Sequence, residues 1–295
     1  MKQRITSAKK TQQTKARGRG PNGSSPRVSI SKTAAPLITL ITDFGYSDYF
    51  VAAMKGVILT INPKANIIDI THEIPAQDIQ SGAFTIFAAH SSFAAGTIHV
   101  AVVDPGVGSQ RRPILIETAG QFFIGPDNGL FSYVCEKSTP RVFHLDKPGY
   151  FRQPVSQTFN GRDVFAPMAA WLSLGLKPEK LGTATETYEK LEPLSAETSA
   201  EGSIHGRIIN VDHFGNCVTN ITRRELSDEM TTKLKLLIGD HSIDTFRQFF
   251  AEEKNNRRPF AVWGSAGFLE IAIRNGSAAK QLSLKKGDTL IIRRN

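Results

Sequence analysis

The chain has only two cysteines, Cys135 and Cys217, in 295 residues. They are too few for a disulfide framework and show no metal-ligand spacing, which points to a reducing compartment and a cytoplasmic protein. No run approaches the 18 apolar residues of a membrane span, and no apolar signal core follows the N-terminus, so membrane and secretory readings lose their support. Also missing are a Walker A sequence, a Gly-x-Gly-x-x-Gly after a strand, a Gly-x-Ser-x-Gly elbow and a His-Glu-x-x-His pair. Kinase, dehydrogenase, serine hydrolase and zincin chemistry therefore have no sequence signature here.

Acidic residues are absent from one stretch. Residues 1–36 hold nine Lys/Arg and no Asp or Glu, and removing those nine from the total of 36 leaves 27 basic against 27 acidic residues. The net charge of +9 thus sits in this segment, and the body of the chain is neutral. Rich in Gly, Ser, Thr, Gln and Pro, residues 1–36 read as a disordered basic tail. Such a tail suits solubilisation, weak polyanion binding by counterion release, or an organelle transit peptide.

What remains is ordinary globular composition, with 40% hydrophobic residues and 18 Phe. Leu37–Thr42 is a β-branched run ending at Asp43-Phe44-Gly45, as a buried strand should. Apolar residues at helical spacing over 49–61 stop at Asn62-Pro63. A strand at Ile67–Ile70, a helix around Gln80–Ser92 and a strand at Thr97–Val103 follow, so the grammar is that of βαβ units. Further strands at Ile114–Glu117 and Phe122–Ile124 and a helix around Val164–Leu174 complete an N-terminal α/β domain, 37–182, with a mainly parallel sheet. Polar residues 183–202 read as a linker. Short strands near Ser203–Val211, Lys235–Ile238, Pro259–Trp263 and Thr289–Arg293 predict a smaller antiparallel, barrel-like β domain over 203–295.

In an open α/β sheet, ligands gather at the carboxyl ends of the strands. Asp43 and Asp104 follow strands there, and Asp69 lies within one. Each could also cap a following helix. Asp104-Pro105-Gly106-Val107-Gly108 followed by Arg111 sets a carboxylate and a guanidinium around one tight loop, either as a structural ion pair or to handle water or an anion. Asp163 could cap or pair with Arg162, and Asn160 could cap the helix beginning near Val164. Asp212-His213-Phe214-Gly215-Asn216 places an aromatic ring beside an amide, which suits a purine, although an ordinary turn has the same composition. His72, with Asp43, Asp69 and Asp104, is the one arrangement in which a metal-dependent phosphohydrolase could be sought.

Together these strings are recognisable. Leu40-Ile41-Thr42-Asp43-Phe44-Gly45, Asp69-Ile70-Thr71-His72, Val103 through Gly108, Pro126-Asp127-Asn128-Gly129, Phe159-Asn160-Gly161-Arg162-Asp163, Asp212 through Asn216, and Glu270-Ile271-Ala272 with Gly276-Ser277-Ala278-Ala279 occur in order from about residue 37 onward. The chain resembles the SAM hydroxide adenosyltransferase family, adenosine-forming S-adenosyl-L-methionine (SAM) hydrolases related to the SAM-dependent fluorinase and chlorinase. The resemblance implies an N-terminal α/β domain, a C-terminal β domain and a trimer, with SAM bound between subunits and no cofactor or metal. It implies that Asp43 holds the ribose hydroxyls, Asp48 and Asp212 meet the methionine ammonium, Ser265 its carboxylate, and Phe214 and Asn216 the adenine. Asp104 and Arg111 match two members of a water-activating Asp-Arg-His triad. The halogenases have Tyr where Asp104 stands. The third member is altered, since Asn160 occupies the histidine position, and Arg274 stands where relatives usually carry Asn. Asn orients water but takes no proton, so a SAM- or adenosine-binding protein without turnover is the alternative.

Overall fold

The computed structural model describes residues 37–136, 138–227 and 234–294. The basic tail expected over 1–36 lies outside the described residues. Among those described, the strands form two sheets, and residues 183–202 run from one to the other.

The first sheet comprises β1 (Leu37–Thr42), β2 (Asn66–Thr71), β3 (Ile98–Val102), β4 (Pro113–Thr118), β5 (Gln121–Pro126), β6 (Arg141–His144) and β7 (Thr183–Thr185), in the order β2-β1-β3-β5-β4-β6-β7. It is mixed rather than mainly parallel. The neighbours β2-β1-β3-β5 run parallel, whereas β5-β4-β6-β7 run antiparallel. The reversal begins in a two-residue hairpin turn, Ala119 (φ 51°) and Gly120 (φ 74°), both with the positive φ that such tight turns require. Alanine is an uncommon residue for that conformation, so the turn carries no sequence signal.

Both faces of the sheet are covered, which is why β1 is buried from Ile38 to Thr42, its two threonines included. Ile38 and Leu40 point to α1 (Phe50–Ile61) and α4 (Ala166–Ser173), in a core with Met54, Ile58 and Phe165. Ile41 points the other way, toward α2 (Ile79–His90), and joins Ala83, Phe84 and Ile86. Short helix α3 (Ser132–Cys135) packs against α2, and α5 (Pro178–Leu181) lies against β6 and the edge strand β7. The helix expected near Val164 opens as a π-helical turn, Gly161–Phe165, before α4.

The second sheet holds β8 (Glu197–Thr198), β9 (Ile204–Val211), β10 (Cys217–Thr222), β11 (Leu234–Ile238), β12 (His241–Ile243), β13 (Phe246–Arg247), β14 (Pro259–Trp263), β15 (Phe268–Ile273) and β16 (Thr289–Arg294). Its order is β12-β11-β16-β9-β10-β15-β14-β13, with β8 on β9, and every pairing is antiparallel except β13 with β14. The sheet curls until β12 comes against β14, enclosing Ile208, Ile221, Leu269, Ile271 and Ile292 as a half-barrel core. A last short helix, α6 (Ala278–Gln281), lies before β16.

The two sheets share structure. Ile209, Val218 and Phe268 of the second sheet pack into the α2-side core of the first. Lys286 Nζ lies 2.7 Å from each carboxylate oxygen of Asp78 and 2.9 Å from Ser81 Oγ. Asp78 is itself the cap of α2, accepting the Ser81 N–H at 3.0 Å. No helix among the described residues is long and apolar enough to cross a membrane.

One buried group makes the fold acid-sensitive. His99 on β3 is fully buried, stacked on Phe123 and hydrogen-bonded through Nδ1 to Thr39 Oγ1 at 2.7 Å. Burial, reinforced by the charge of nearby His90, lowers its pKa to about 4. The unfolded imidazole binds its proton near pH 6.5, so stability is complete above that pH and is lost as pH falls from 6.5 through 4. Urea unfolding is expected to show about 2 kcal/mol less stability at pH 5 than at pH 7 from this group. His99→Gln should flatten that dependence, and an equal slope in both proteins would refute the assignment.

Candidate active site

The carboxyl ends of β1 and β3 open onto a cavity of about 400 Å³, within the range of small-molecule sites. Asp43, Phe44, Phe50, Gln77, Asp104 and Asn160 are among its walls. Two loops bring the polar residues together. Gly108 (φ 81°) lets the 104–108 loop approach the 156–160 loop so closely that a Cβ there would stand 2.4 Å from the Gln157 carbonyl oxygen.

Asp104 and Arg111 form a two-pronged pair: Arg111 Nε donates to Asp104 Oδ1 at 2.8 Å and Nη2 donates to Oδ2. Both side chains are largely withdrawn from solvent. Asn160 completes the group. With its amide oriented to match its neighbours, Oδ1 accepts from Arg111 Nη2 at 2.7 Å and Nδ2 donates to the Ser156 carbonyl at 3.2 Å. Its side chain makes no helix-capping bond, so the capping role is not the one it plays. Arg111 Nη1 is buried with no hydrogen-bond partner among the described residues. An orphaned donor on a buried guanidinium is costly and marks a place where a ligand or water belongs.

Asp163 holds this architecture from behind. Fully buried, it accepts from Arg162 Nε at 2.7 Å, Arg162 Nη2 at 2.8 Å, Arg152 Nη1 at 3.1 Å and the Ser156 N–H at 2.9 Å. Burial pushes its pKa up, but the Arg162 and Ser156 hydrogen bonds and the arginine charge outweigh burial and hold the carboxyl below its ordinary range. It thus pairs with Arg162, as the sequence allowed, and also fixes the loop leading to Asn160.

The metal arrangement does not assemble. Asp69 accepts from Lys55 Nζ at 2.6 Å and lies 3.1 Å from His72 Nε2, while His72 Nδ1 is hydrogen-bonded to Thr42 Oγ1 at 2.8 Å. Among the described residues no three His, Cys, Asp or Glu side chains are grouped to hold a metal ion.

A second concavity, about 700 Å³, lies on the other sheet and is lined by Phe214, Asn216, Phe250, Arg274 and Asn275, among others. It shares no lining residue with the first. Phe214 is 74% exposed, unusual for a phenyl ring and fitting for a stacking platform. Asn216 is fixed by Asp212, whose Oδ1 accepts its backbone N–H and Oδ2 its side-chain Nδ2, both at 2.8 Å. Gly215 (φ 83°) sits so tightly on Ser277, the residue that caps α6, that a Cβ would meet Ser277 Oγ at 2.0 Å. Beside Asp212, burial and the aspartate's charge push the Glu270 carboxyl up to about 7. Asp48 and Ser265 are exposed and, like Asp212, line neither concavity. Sequence reasoning assigned no role to Phe44, Phe50, Gln77 or Phe250, although Phe44 lies in the Asp43-Phe44-Gly45 string and Phe50 at helical spacing.

The family model for the SAM hydroxide adenosyltransferase N-terminal domain matches residues 38–182, and that for the C-terminal domain matches 206–291. The chain belongs to the SAM hydroxide adenosyltransferase family. A relative from Thermus thermophilus named (R)-S-adenosyl-L-methionine hydrolase is 36% identical over 85% of this chain and 96% of its own length. Another of that name from Methanocaldococcus jannaschii is 38% identical, covering 87% and 95%. A Nocardia brasiliensis fluorinase is more distant, 27% identical over 85% of this chain and 95% of its own. The crystal structure of a conserved Thermotoga maritima protein superposes with a TM-score of 0.81 at 33% identity, covering 87% of this chain and all of that one. The family resemblance expected from the ordered strings is thus met over both sheets.

Proposed function

We propose that this chain hydrolyses SAM to adenosine and L-methionine, with water attacking C5′ of the ribose. The observation that carries the reading is the Asp104–Arg111–Asn160 cluster with Arg111 Nη1 left as a buried donor. The sulfur of SAM leaves as a neutral thioether, so no general acid is needed. The protein must align a water and favour its hydroxide character. Arg111 Nη1 supports the water oxygen, and the Asp104 carboxylate orients it and accepts its proton, which passes to solvent. As the O–C5′ bond forms, the C5′–S bond breaks and its electrons go to sulfur.

Asp43 then takes the ribose hydroxyls, Phe214 stacks on adenine, and Asn216 meets its edge. Asp48 and Asp212 take the methionine ammonium and Ser265 its carboxylate. The ribose and adenine residues line separate concavities of one chain, which supports a homotrimer in which one subunit's cavity faces its neighbour's second concavity. This reading treats 37–182 and 203–295 as domains joined by 183–202, in a cytoplasmic protein. Asn160 keeps the binding-only alternative in play, because an amide does not titrate.

Both readings are checked on one preparation. Incubation with SAM, with and without chelator, should release adenosine and methionine equally, and light scattering should return three chains per particle. Methylthioadenosine or 5′-chloroadenosine as the sole product would refute hydrolysis, tight SAM binding without product over hours would favour the binding protein, and an active monomer would refute the shared site.

A further inference from the structure

Gln77 has an unusual backbone. The Asp78 N–H donates to the Pro75 carbonyl at 2.9 Å, closing a four-residue turn whose third residue is Gln77, with φ 67°. A positive φ at that position of a turn favours glycine. The Gln77 N–H donates to Asp43 Oδ2 at 2.8 Å, and Gln77 lines the same cavity as Asp43 and Asp104. The turn is anchored beyond Gln77, where Asp78 caps α2 and receives Lys286.

A glycine would offer Asp43 the same N–H with less strain, so the backbone bond alone does not account for a glutamine here. Strained residues persist where the surrounding structure enforces them, and they cluster at functional sites. The Gln77 side chain is exposed, with no hydrogen bond among the described residues. A carboxylate offers only acceptors, so Asp43 satisfies the O–H donors of a sugar diol and leaves the hydroxyl oxygens without a donor. A carboxamide supplies that donor.

We propose that Gln77 is a specificity-determining residue for the ribose: its N–H sets the Asp43 carboxylate, and its side-chain amide donates to a sugar hydroxyl oxygen beside that acid. This rests on the SAM reading above. The test is calorimetric binding of adenosine and of its 2′- and 3′-deoxy analogues to the wild type, Gln77→Gly and Gln77→Glu. Gln77→Gly should melt no lower than wild type, because it relieves the positive φ and keeps the N–H. It should nevertheless bind adenosine about tenfold more weakly and lose about that much preference over one deoxy analogue. Gln77→Glu, similar in shape but without the donor, should bind at least as weakly as the glycine variant. Wild-type affinity and preference in either variant would overturn the proposal. A wild-type protein that binds neither SAM nor adenosine would instead overturn the SAM reading on which it rests.

Discussion

Asp104→Ala is expected to lower kcat for SAM hydrolysis by about 10³-fold or more while leaving SAM affinity within a few-fold of wild type. The carboxylate is the partner of Arg111 through both oxygens and stands on the cavity wall. Its removal takes away the group that orients the water and leaves a largely buried guanidinium without its counter-charge. Asp104→Asn retains the shape without the charge and separates chemistry from folding. It should melt near the wild-type temperature yet remain about as inactive as the alanine variant. Stopped-time assays with calorimetric SAM binding read both effects, and a kcat within tenfold of wild type in the asparagine variant would remove Asp104 from the mechanism.

Asn160→His is expected to act in the opposite direction, raising kcat by about ten- to a hundredfold. Asn160 Oδ1 already accepts from Arg111 Nη2, and Nδ2 donates to Ser156. An imidazole offers one acceptor and one donor in the same place and also accepts a proton near neutrality. The variant should gain a rate step near pH 6.5, with activity rising as the ring loses its proton and becomes a base. The wild type should lack that step. An unchanged or lower kcat would mean that the amide is the better partner, fixing Nη2 so that Nη1 alone faces the water.

The order of β1, α1, β2, α2 and β3 was legible because each strand is a β-branched run and each helix has apolar residues three and four apart. Asp43 and Asp104 were legible for the same reason, since strand ends are where such sheets bind ligands. Strand β10 was not. Cys217–Thr222 is almost entirely buried yet half polar, so it shows neither alternation nor an apolar run. Its two buried central polar side chains are satisfied only by the finished fold: Thr219 Oγ1 donates to the Leu269 carbonyl at 2.8 Å, and Asn220 Oδ1 accepts the Arg207 N–H at 2.7 Å. The mixed first sheet was hidden in an Ala-Gly turn. At the site, the meeting of Asn160 with Arg111 depends on loops about fifty residues apart, and the Gln77–Asp43 bond comes from a backbone group that no side-chain pattern encodes.

The Lys286–Asp78 contact reaches from the last turn before β16 to the residue beside Gln77, across 208 positions of chain. The first sheet therefore does not own its ligand-facing turn outright. A gene fragment encoding the matched span 38–182 would keep Asp43, Asp104, Arg111 and Asn160. It would lose the ammonium that anchors the turn and four buried side chains, Leu194, Ile209, Val218 and Phe268, that complete the core beneath α2. The halves that sequence models treat as separable units are in this respect poor material for recombination, because a transplanted N-terminal half would arrive with its reaction residues present and the turn that aims its sugar-binding acid unsupported.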